Sequence, residues 1–528
     1  MKTYKKLFLS IFLTQLLFSH GEVVLSQNWP KIYGNSISAY GRDVLENYDN
    51  GYLICGSIDK NPELFKFGWL IKTDINGNVL WDKKFGDYHV ENFFMDFDKT
   101  DDRGLIICGA TAQLDYERDP LFVKLDPCGE IDWCQIFLSN GVNHATGVIN
   151  LPDGQILGIL EYYGGNYLDI RISLVKMNAN GEPIWIKNLA QQDAVANEEG
   201  MYLDLTPDGN YLISGSCFKP SLKPYFIKTD TAGEELWNLN WPVGFGGVAG
   251  RSDFTTNGMI YNASSIQFQS PYIPKIPYLL KFNENGQVID QYPLMGIDTV
   301  VRGGAQSLLI VNDSIIYTGL VWTNDPTLFS GFCELYKTDT IGNTLCQRRL
   351  LDEDYPPTCI IKTFDGKIVA IGYFYVDTNW DIYMWKMNEN LEDDTLYTQP
   401  LVYDSLCPFE IQSDTVLLDC GLFVNIDEIP TKEEYESSIK ISPNPAKEWV
   451  VLNFPDVLAE GKVNLNVYDI FGREMEKRGR GDEEKNGSVL PSNRMILLDV
   501  SDYSTGMYIA VVIDQKGRRY TGKFVVIR

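Results

Sequence analysis

An all-β fold is what three features of this 528-residue chain predict. Turn-forming and aromatic residues are abundant, with 45 Gly, 30 Tyr, 26 Phe and 11 Trp, a usage suited to many short strands joined by tight turns. Similar segments recur along the body at a near-constant interval. The last part of the chain alternates apolar and polar residues in short runs, the period of strands.

The repeat is anchored by a lysine. The first copy reads Trp69-Leu70-Ile71-Lys72-Thr73-Asp74-Ile75-Asn76-Gly77, and others centre on Lys124, Lys176, Lys228, Lys281, Lys337 and Lys386, spaced 52, 52, 52, 53, 56 and 49 residues apart. A Gly follows the Asp or Asn by three residues at Gly77, Gly129, Gly181, Gly233, Gly286 and Gly342, and Leu391 takes that place in the seventh unit. Ahead of each lysine stands a second turn signal: Asp49-Asn50-Gly51, Asp102-Arg103-Gly104, Asp153-Gly154, Asp208-Gly209, Asn257-Gly258 and Asp365-Gly366, with Asn312-Asp313-Ser314 in the sixth unit.

These residue types have structural work to do. Asp-Gly and Asn-Gly between apolar runs supply the φ > 0 positions of tight hairpins. The Asp-x-x-Gly step suits a type I turn closed by a Gly bulge. Four residues after that Gly stands Trp81, Trp133, Trp185 or Trp237, replaced by Asp290 and Cys346 in units five and six. A ring recurring at one place is expected to pack between adjacent sheets.

Two hairpins per unit make four strands in about 50 residues, the signature of a propeller blade. The expectation is a seven-bladed β-propeller over 27–400 followed by a small C-terminal antiparallel β-sandwich. The opening Trp29-Pro30-Lys31-Ile32-Tyr33-Gly34 copies Trp81-Asp82-Lys83-Lys84-Phe85-Gly86. It is therefore an outer strand without a blade of its own, expected to complete the seventh and close the ring without open edges. The Asp-x-x-Gly-x-x-x-Trp element is similar to turn signatures of quinoprotein propellers and sialidases, at different offsets and without a sialidase's clustered arginines. The body more closely resembles surface propellers that precede a sorting tail.

After the body come a Cys-containing extension (401–424), an acidic linker (425–438) with Asp427, Glu428, Glu433, Glu434 and Glu436 around Pro430, and the terminal domain (439–528). Strands are expected at Trp449 to Phe454, Val463 to Tyr468, Met495 to Val500, Met507 to Ile513 and Gly522 to Ile527. Pro443-Asn444-Pro445, Tyr468 and Gly472 in Val467-Tyr468-Asp469-Ile470-Phe471-Gly472-Arg473, Gly506 and Tyr508 in Thr505-Gly506-Met507-Tyr508, and Lys523 in the closing Lys523-Phe524-Val525-Val526 carry a resemblance. They resemble the type A C-terminal sorting domain of the Bacteroidetes type IX secretion system. That resemblance implies recognition by the outer-membrane secretion machinery, removal of the tail in the linker, and a body released or held at the cell surface.

The N-terminus agrees. Lys2, Lys5 and Lys6 precede an apolar core from Leu7 to Phe18, with small residues at Gly21 and Ser26, so 1–26 reads as a secretory signal peptide. No later run is long and apolar enough for a transmembrane helix. Formal net charge is −26, whereas the stretch from Lys432 to Arg528 holds 15 basic and 15 acidic residues, so the excess lies in the body. Such a body disfavours nucleic acid and is explained by solubility, with weak divalent-ion binding as the alternative.

Catalytic and metal motifs are not evident, and no cofactor, metal site or catalytic residue is predicted. His20 lies in the signal, leaving His89 and His144, for which structural or solvated roles are expected. Asp74-Ile75-Asn76-Gly77-Asn78 has the start of a calcium loop but Val79 and Phe85 at its sixth and twelfth positions, so a hairpin turn is preferred. Among ten cysteines, Cys407 with Cys420, and Cys333 with Cys346, are the expected disulfides. Cys55 and Cys108 are as readily buried thiols.

The functional signal lies between the second and third strands. Tyr162, Tyr163 and Tyr167, then Trp322, then Tyr373, Tyr375 and Trp380 mix rings with Asn and Asp in loops that a propeller gathers on one face. Rings that stack on sugars beside hydroxyl-bonding side chains make a glycan site. Rings packed on the blades are the competing reading. The chain is thus expected to be a secreted or surface binding and adhesion module for glycan or protein. The alternatives are an extracellular polysaccharide hydrolase or lyase with its site at the propeller mouth, and a surface-layer component.

Overall fold

The computed structural model describes residues 29–34, 37–60, 65–87, 90–112, 118–138, 143–163, 170–189, 197–218, 221–242, 246–267, 275–295, 302–323, 331–352, 355–376, 378–424, 440–443, 445–453, 463–469, 475, 488–489, 495–513 and 519–528. The signal segment, His89, Tyr167, the linker, Asn444 and Gly472 lie outside these, as do the side chains of Tyr162, Tyr163 and Lys523. Among the described residues every regular element is a strand. The chain divides into two compact units, Met1–Gly421 and Leu422–Arg528.

The body is a β-propeller. Its strands form seven sheets, each around four antiparallel strands, and in the first six those four run inner to outer in chain order. The inner strands are Ala39–Glu46, Glu91–Lys99, His144–Asn150, Asn197–Leu205, Gly246–Phe254, Arg302–Val311 and Cys359–Lys362. Each lies against the inner strand of the next sheet, and the seventh lies against those of sheets six and one, so the ring is closed. Closure also uses the orphan strand. Lys31–Tyr33 pairs antiparallel with Met384, Tyr383 and Ile382 as the outer strand of sheet seven.

The recurrent Trp and glycine meet across five of the sheet boundaries. Gly77 and Gly181 hold φ of 75° and 79°, which glycine adopts without strain. A methyl group on Gly181 would lie 2.6 Å from the Trp133 ring of the sheet before it. The same contact joins Trp29 to Gly77, Trp81 to Gly129, Trp185 to Gly233 and Trp237 to Gly286. Where unit five lacks the Trp, Tyr292 covers Gly342 instead. At the seventh turn Leu391 itself takes φ 65°, and the Arg348 guanidinium donates to its carbonyl at 2.9 Å.

The repeat lysine reaches back to the hairpin Asp. Lys72 lies 2.5 Å from Asp49, Lys124 2.7 Å from Asp102, Lys228 2.6 Å from Asp208 and Lys386 2.7 Å from Asp365. In unit three Lys176 donates instead to the Tyr211 hydroxyl at 3.5 Å, and in units five and six, where the turn pattern lapses, Lys281 and Lys337 lie over the rings of Tyr261 and Tyr317. The ion pair fastens the first turn of a unit to its third strand. Lys72 and Asp49 are both buried, whereas Asp208 is 34% exposed. Removing one partner of a buried pair strands the other charge, at about 3–5 kcal/mol. Lys72→Met is therefore expected to lower the denaturant midpoint far more than Lys228→Met, and equal shifts would contradict this role.

The extension after sheet seven straps the turn face. Tyr397 exchanges hydrogen bonds with Asn76, the Tyr403 hydroxyl accepts from the Ile75 N–H, and Asp404 accepts from the Trp81 indole at 3.0 Å. Asp414–Val416 then adds a parallel strand to the outer strand Val79–Phe85 of sheet one. Two disulfides hold this strap to sheet two, Cys128–Cys407 and Cys134–Cys420.

Both expected pairings are thereby corrected. Cys407 and Cys420 do not join each other, because each faces a cysteine on the last hairpin of sheet two. Cys333 and Cys346 share a hairpin, but Cys333 stands opposite Leu351 and Cys346 opposite Lys337. Four residues along a strand is about 13 Å, far beyond bonding range. Cys55 and Cys108 are buried thiols whose pKa burial raises well above the ordinary value.

The terminal unit has two sheets, one ordered Lys440–Ser442, Trp449–Asn453, Met495–Asp499, the other Ser488–Val489, Val463–Asp469, Gly506–Ile513, Arg519–Val526. Val450, Leu452, Val467, Leu498, Tyr508, Val512 and Phe524 fill one core. Tyr508 stacks on Phe524, and Gly506 pairs with Val526. Pro443 and Pro445 are exposed, and the Tyr468 hydroxyl accepts from Asn466. The final residue closes the unit: the Arg528 guanidinium donates to the carbonyls of Lys447, Val500 and Tyr503.

Candidate functional site

Short turns join first to second and third to fourth strands on one face of the ring, and the second strands end and the third strands begin at the other. On that open side the channel holds a cavity of about 270 Å³ with contributions from all seven sheets. Six inner strands shift register at matching places: Gly41/Asp43, Phe94/Asp96, Ala145/Val148, Gly200/Tyr202, Ala249/Ser252 and Ala305/Ser307. The residues within those shifts, Arg42, Met95, Thr146, Met201, Arg251 and Gln306, all line the cavity. A bulge breaks strand alternation and re-aims a side chain, here toward the axis. Sheet seven supplies Thr358, just before its inner strand.

A sequence signal for these positions exists. Arg42, Met95, Thr146, Met201, Gln306 and Thr358 each stand seven residues before the Asp of the following hairpin turn, and Gly250, beside Arg251, stands seven before Asn257. Because the residue types vary, the offset shows only once the bulges are seen.

Arg251 organises the cavity floor. Its guanidinium lies 3.2 Å from Asp43 and 3.7 Å from Asp96, donates to the Thr358 carbonyl at 3.2 Å and sits over the Tyr202 ring. The Tyr202 hydroxyl accepts from Gln306 at 3.0 Å. Burial, then repulsion by Asp43, pushes the Asp96 carboxyl well above the carboxylate range, and burial carries Asp204 up to about 7 against the pull of Arg251. Asp96 and Asp98 accept from the N–H groups of Val148 and Asn150, and Asp253 from that of Ile310. Inner-strand carboxylates thus satisfy backbone donors of the neighbouring inner strand, which no sheet ladder reaches.

Histidine and glutamate face each other in the wall. His144 Nε2 lies 2.7 Å from Glu161 Oε2, and Glu161 is 5% exposed. His144 Nδ1 and Glu161 Oε1 have no hydrogen-bond partner among the described residues. The His144 ring lines the cavity, with its side chain 18% exposed.

Beside the mouth lies an aromatic cluster. The Trp380 ring centroid is 5.7 Å from that of Tyr373, 5.1 Å from Tyr375 and 4.9 Å from Tyr355, and Tyr40 adds contacts to Tyr373 and Trp380. Tyr355 and Tyr375 are exposed. Three sequence-predicted residues therefore meet, and Tyr40, from the inner strand of sheet one, and Tyr355, from the connection before sheet seven, join them. Trp322 stands apart, donating to Glu334 at 2.8 Å and packing on Phe332. The backbones of Tyr162 and Tyr163 end the second strand of sheet three, Ile156–Tyr163.

Residues 440–527 match the family described as "Secretion system C-terminal sorting domain". The tail is a type IX sorting domain. The protein is accordingly secreted or displayed at the cell surface, with the secretion machinery as a partner of its tail, and among the described residues no helix is long and apolar enough to cross a membrane. No curated protein matches the chain. Similar solved structures include a PL25 ulvan lyase bound to a GlcA–Rha3S saccharide (13% identity, 68% of this chain and 96% of that one, TM-score 0.44). Others are an α-L-arabinanase of Penicillium chrysogenum complexed with arabinobiose (11%, 58% and 87%, 0.33) and PorZ, a surface component of the type IX secretion system of Porphyromonas gingivalis (9%, 92% and 81%, 0.25).

Proposed function

We propose that this exported propeller is a surface binding module that takes an extracellular glycan on its open face. The observation that carries the reading is the cluster of Tyr40, Tyr355, Tyr373, Tyr375 and Trp380, partly exposed and bordering a polar channel. Flat rings cover the apolar faces of sugars, and the channel's carboxylates and amides bond their hydroxyls. Trp380→Ala is expected to weaken polysaccharide binding by about tenfold, the loss of one ring contact of roughly 1.4 kcal/mol. Titration calorimetry with the unchanged protein and this variant tests it, and equal affinities would remove the cluster from the site.

A second reading is an extracellular polysaccharide hydrolase or lyase. The His144–Glu161 pair favours it: a buried carboxylate holding an imidazole at 2.7 Å in a cavity is an arrangement that moves protons. Chain cleavage seen with the unchanged protein, and abolished in His144→Ala with binding retained, would establish catalysis.

A further inference from the structure

Resting on the glycan reading, we infer that the ligand is an anionic saccharide whose carboxylate or sulfate group is held by Arg42 and Lys66 at the mouth of the channel. The two cations converge from different strands of sheet one. Arg42 occupies the bulge of the inner strand Ala39–Glu46, lines the cavity and lies 5.8 Å from the Tyr373 ring centroid. Lys66 begins the third strand, Lys66–Thr73, and its ammonium sits 4.0 Å from the Tyr40 ring centroid.

What separates them from the neutralised cations of the body is their pairing. Arg251 is neutralised by Asp43 and Asp96, Arg118 by Glu91, and Lys72, Lys124, Lys228 and Lys386 by the hairpin aspartates. Among the described residues neither Arg42 nor Lys66 has a carboxylate within 4.0 Å. The nearest acidic groups acting on Lys66 are Asp59, opposite it in the hairpin, and Glu91, which Arg118 already engages. Lys281 and Lys337 share that lack of a carboxylate but rest on Tyr261 and Tyr317 of sheets five and six, whereas Arg42 and Lys66 both rest on rings of the proposed sugar platform.

A saccharide lying on Tyr373 and Trp380 brings an acidic substituent within reach of both. The guanidinium offers paired donors to a carboxylate or sulfate, and the ammonium adds a point charge. Neutral substituents gain nothing from either. The strongly negative body repels polyanions at long range, so any preference for a charged chain must come from local contacts.

The test uses the full-length chain and matched polymers: polygalacturonate against its methyl ester, and dextran sulfate against dextran. The expected result is at least about tenfold tighter binding to one charged polymer than to its neutral partner, the scale of one charge-assisted hydrogen bond. Arg42→Gln and Lys66→Gln are expected to erase that preference, read as the ratio of the two affinities, and raised salt should narrow it. The pair that discriminates distinguishes carboxylate from sulfate. Equal binding to charged and neutral polymers overturns the inference and leaves the glycan reading standing. No binding to any of the four overturns both.

Discussion

Replacing Trp29 and Tyr33 with alanine is expected to open the propeller. Trp29 is 1% exposed and Tyr33 5%, although both lie in a segment with no blade of its own. Trp29 covers Gly77 at the turn of sheet one, and the Tyr33 hydroxyl donates to the Gly77 carbonyl at 2.9 Å, while the strand between them pairs with sheet seven. The segment therefore joins the last sheet to the first. Each large-to-alanine change in a core costs about 3–5 kcal/mol, and a folded domain usually stands only about 5–15 kcal/mol above its unfolded state. The double variant should unfold at far lower denaturant, or fail to accumulate folded. Ile32→Ala, at a side chain 37% exposed, should shift stability by no more than about 0.5 kcal/mol. Similar midpoints for the two variants would show that the ring does not depend on this latch.

Removing residues 440–528 should abolish surface display and leave the body in the periplasm. The matched sorting domain covers 440–527, and the structure shows why it works as a unit. A single core holds its two sheets, and the last residue, Arg528, ties three carbonyls of the sandwich together. The body's own fastenings, Cys128–Cys407 and Cys134–Cys420, all precede the linker, so the truncated body retains its disulfides and strap. Fractionation followed by protease accessibility on whole cells gives the readout. A truncated chain reaching the surface at the normal level would refute the tail's role, and a periplasmic chain with the native melting profile would support it.

Much of the architecture was legible because it is written in short-range chemistry. The φ requirements of Asp-Gly and Asp-x-x-Gly turns act within a few residues, so hairpins, unit length and the displaced outer strand at Trp29–Gly34 could be read directly. The recurring Trp was legible as a packing ring for the same reason. Lys72 and its counterparts marked the units, yet their ion pairs with the hairpin aspartates emerge only when the third strand folds back beside the first turn.

The site was legible in half. Tyr373, Tyr375 and Trp380 sit on one hairpin, so sequence proximity brought them together, whereas Tyr40 arrives from the inner strand of sheet one and Tyr355 from the connection before sheet seven. Arg42, Arg251, Glu161 and Tyr202 escaped notice because a lone polar residue in a strand does not mark itself, and the fixed offset of the bulges from the hairpin turns shows only in the folded ring.

Sequence alone determined the address, the strand-and-turn repeat and the closing segment, since each depends on neighbours along the chain. Tertiary structure alone decided the cysteine partners, the ring of bulged residues around the axis and the pairing of His144 with Glu161. Those contacts exist because ring closure gathers one position from every sheet onto a common axis, and the strap lays distant cysteines side by side. No local preference encodes either juxtaposition.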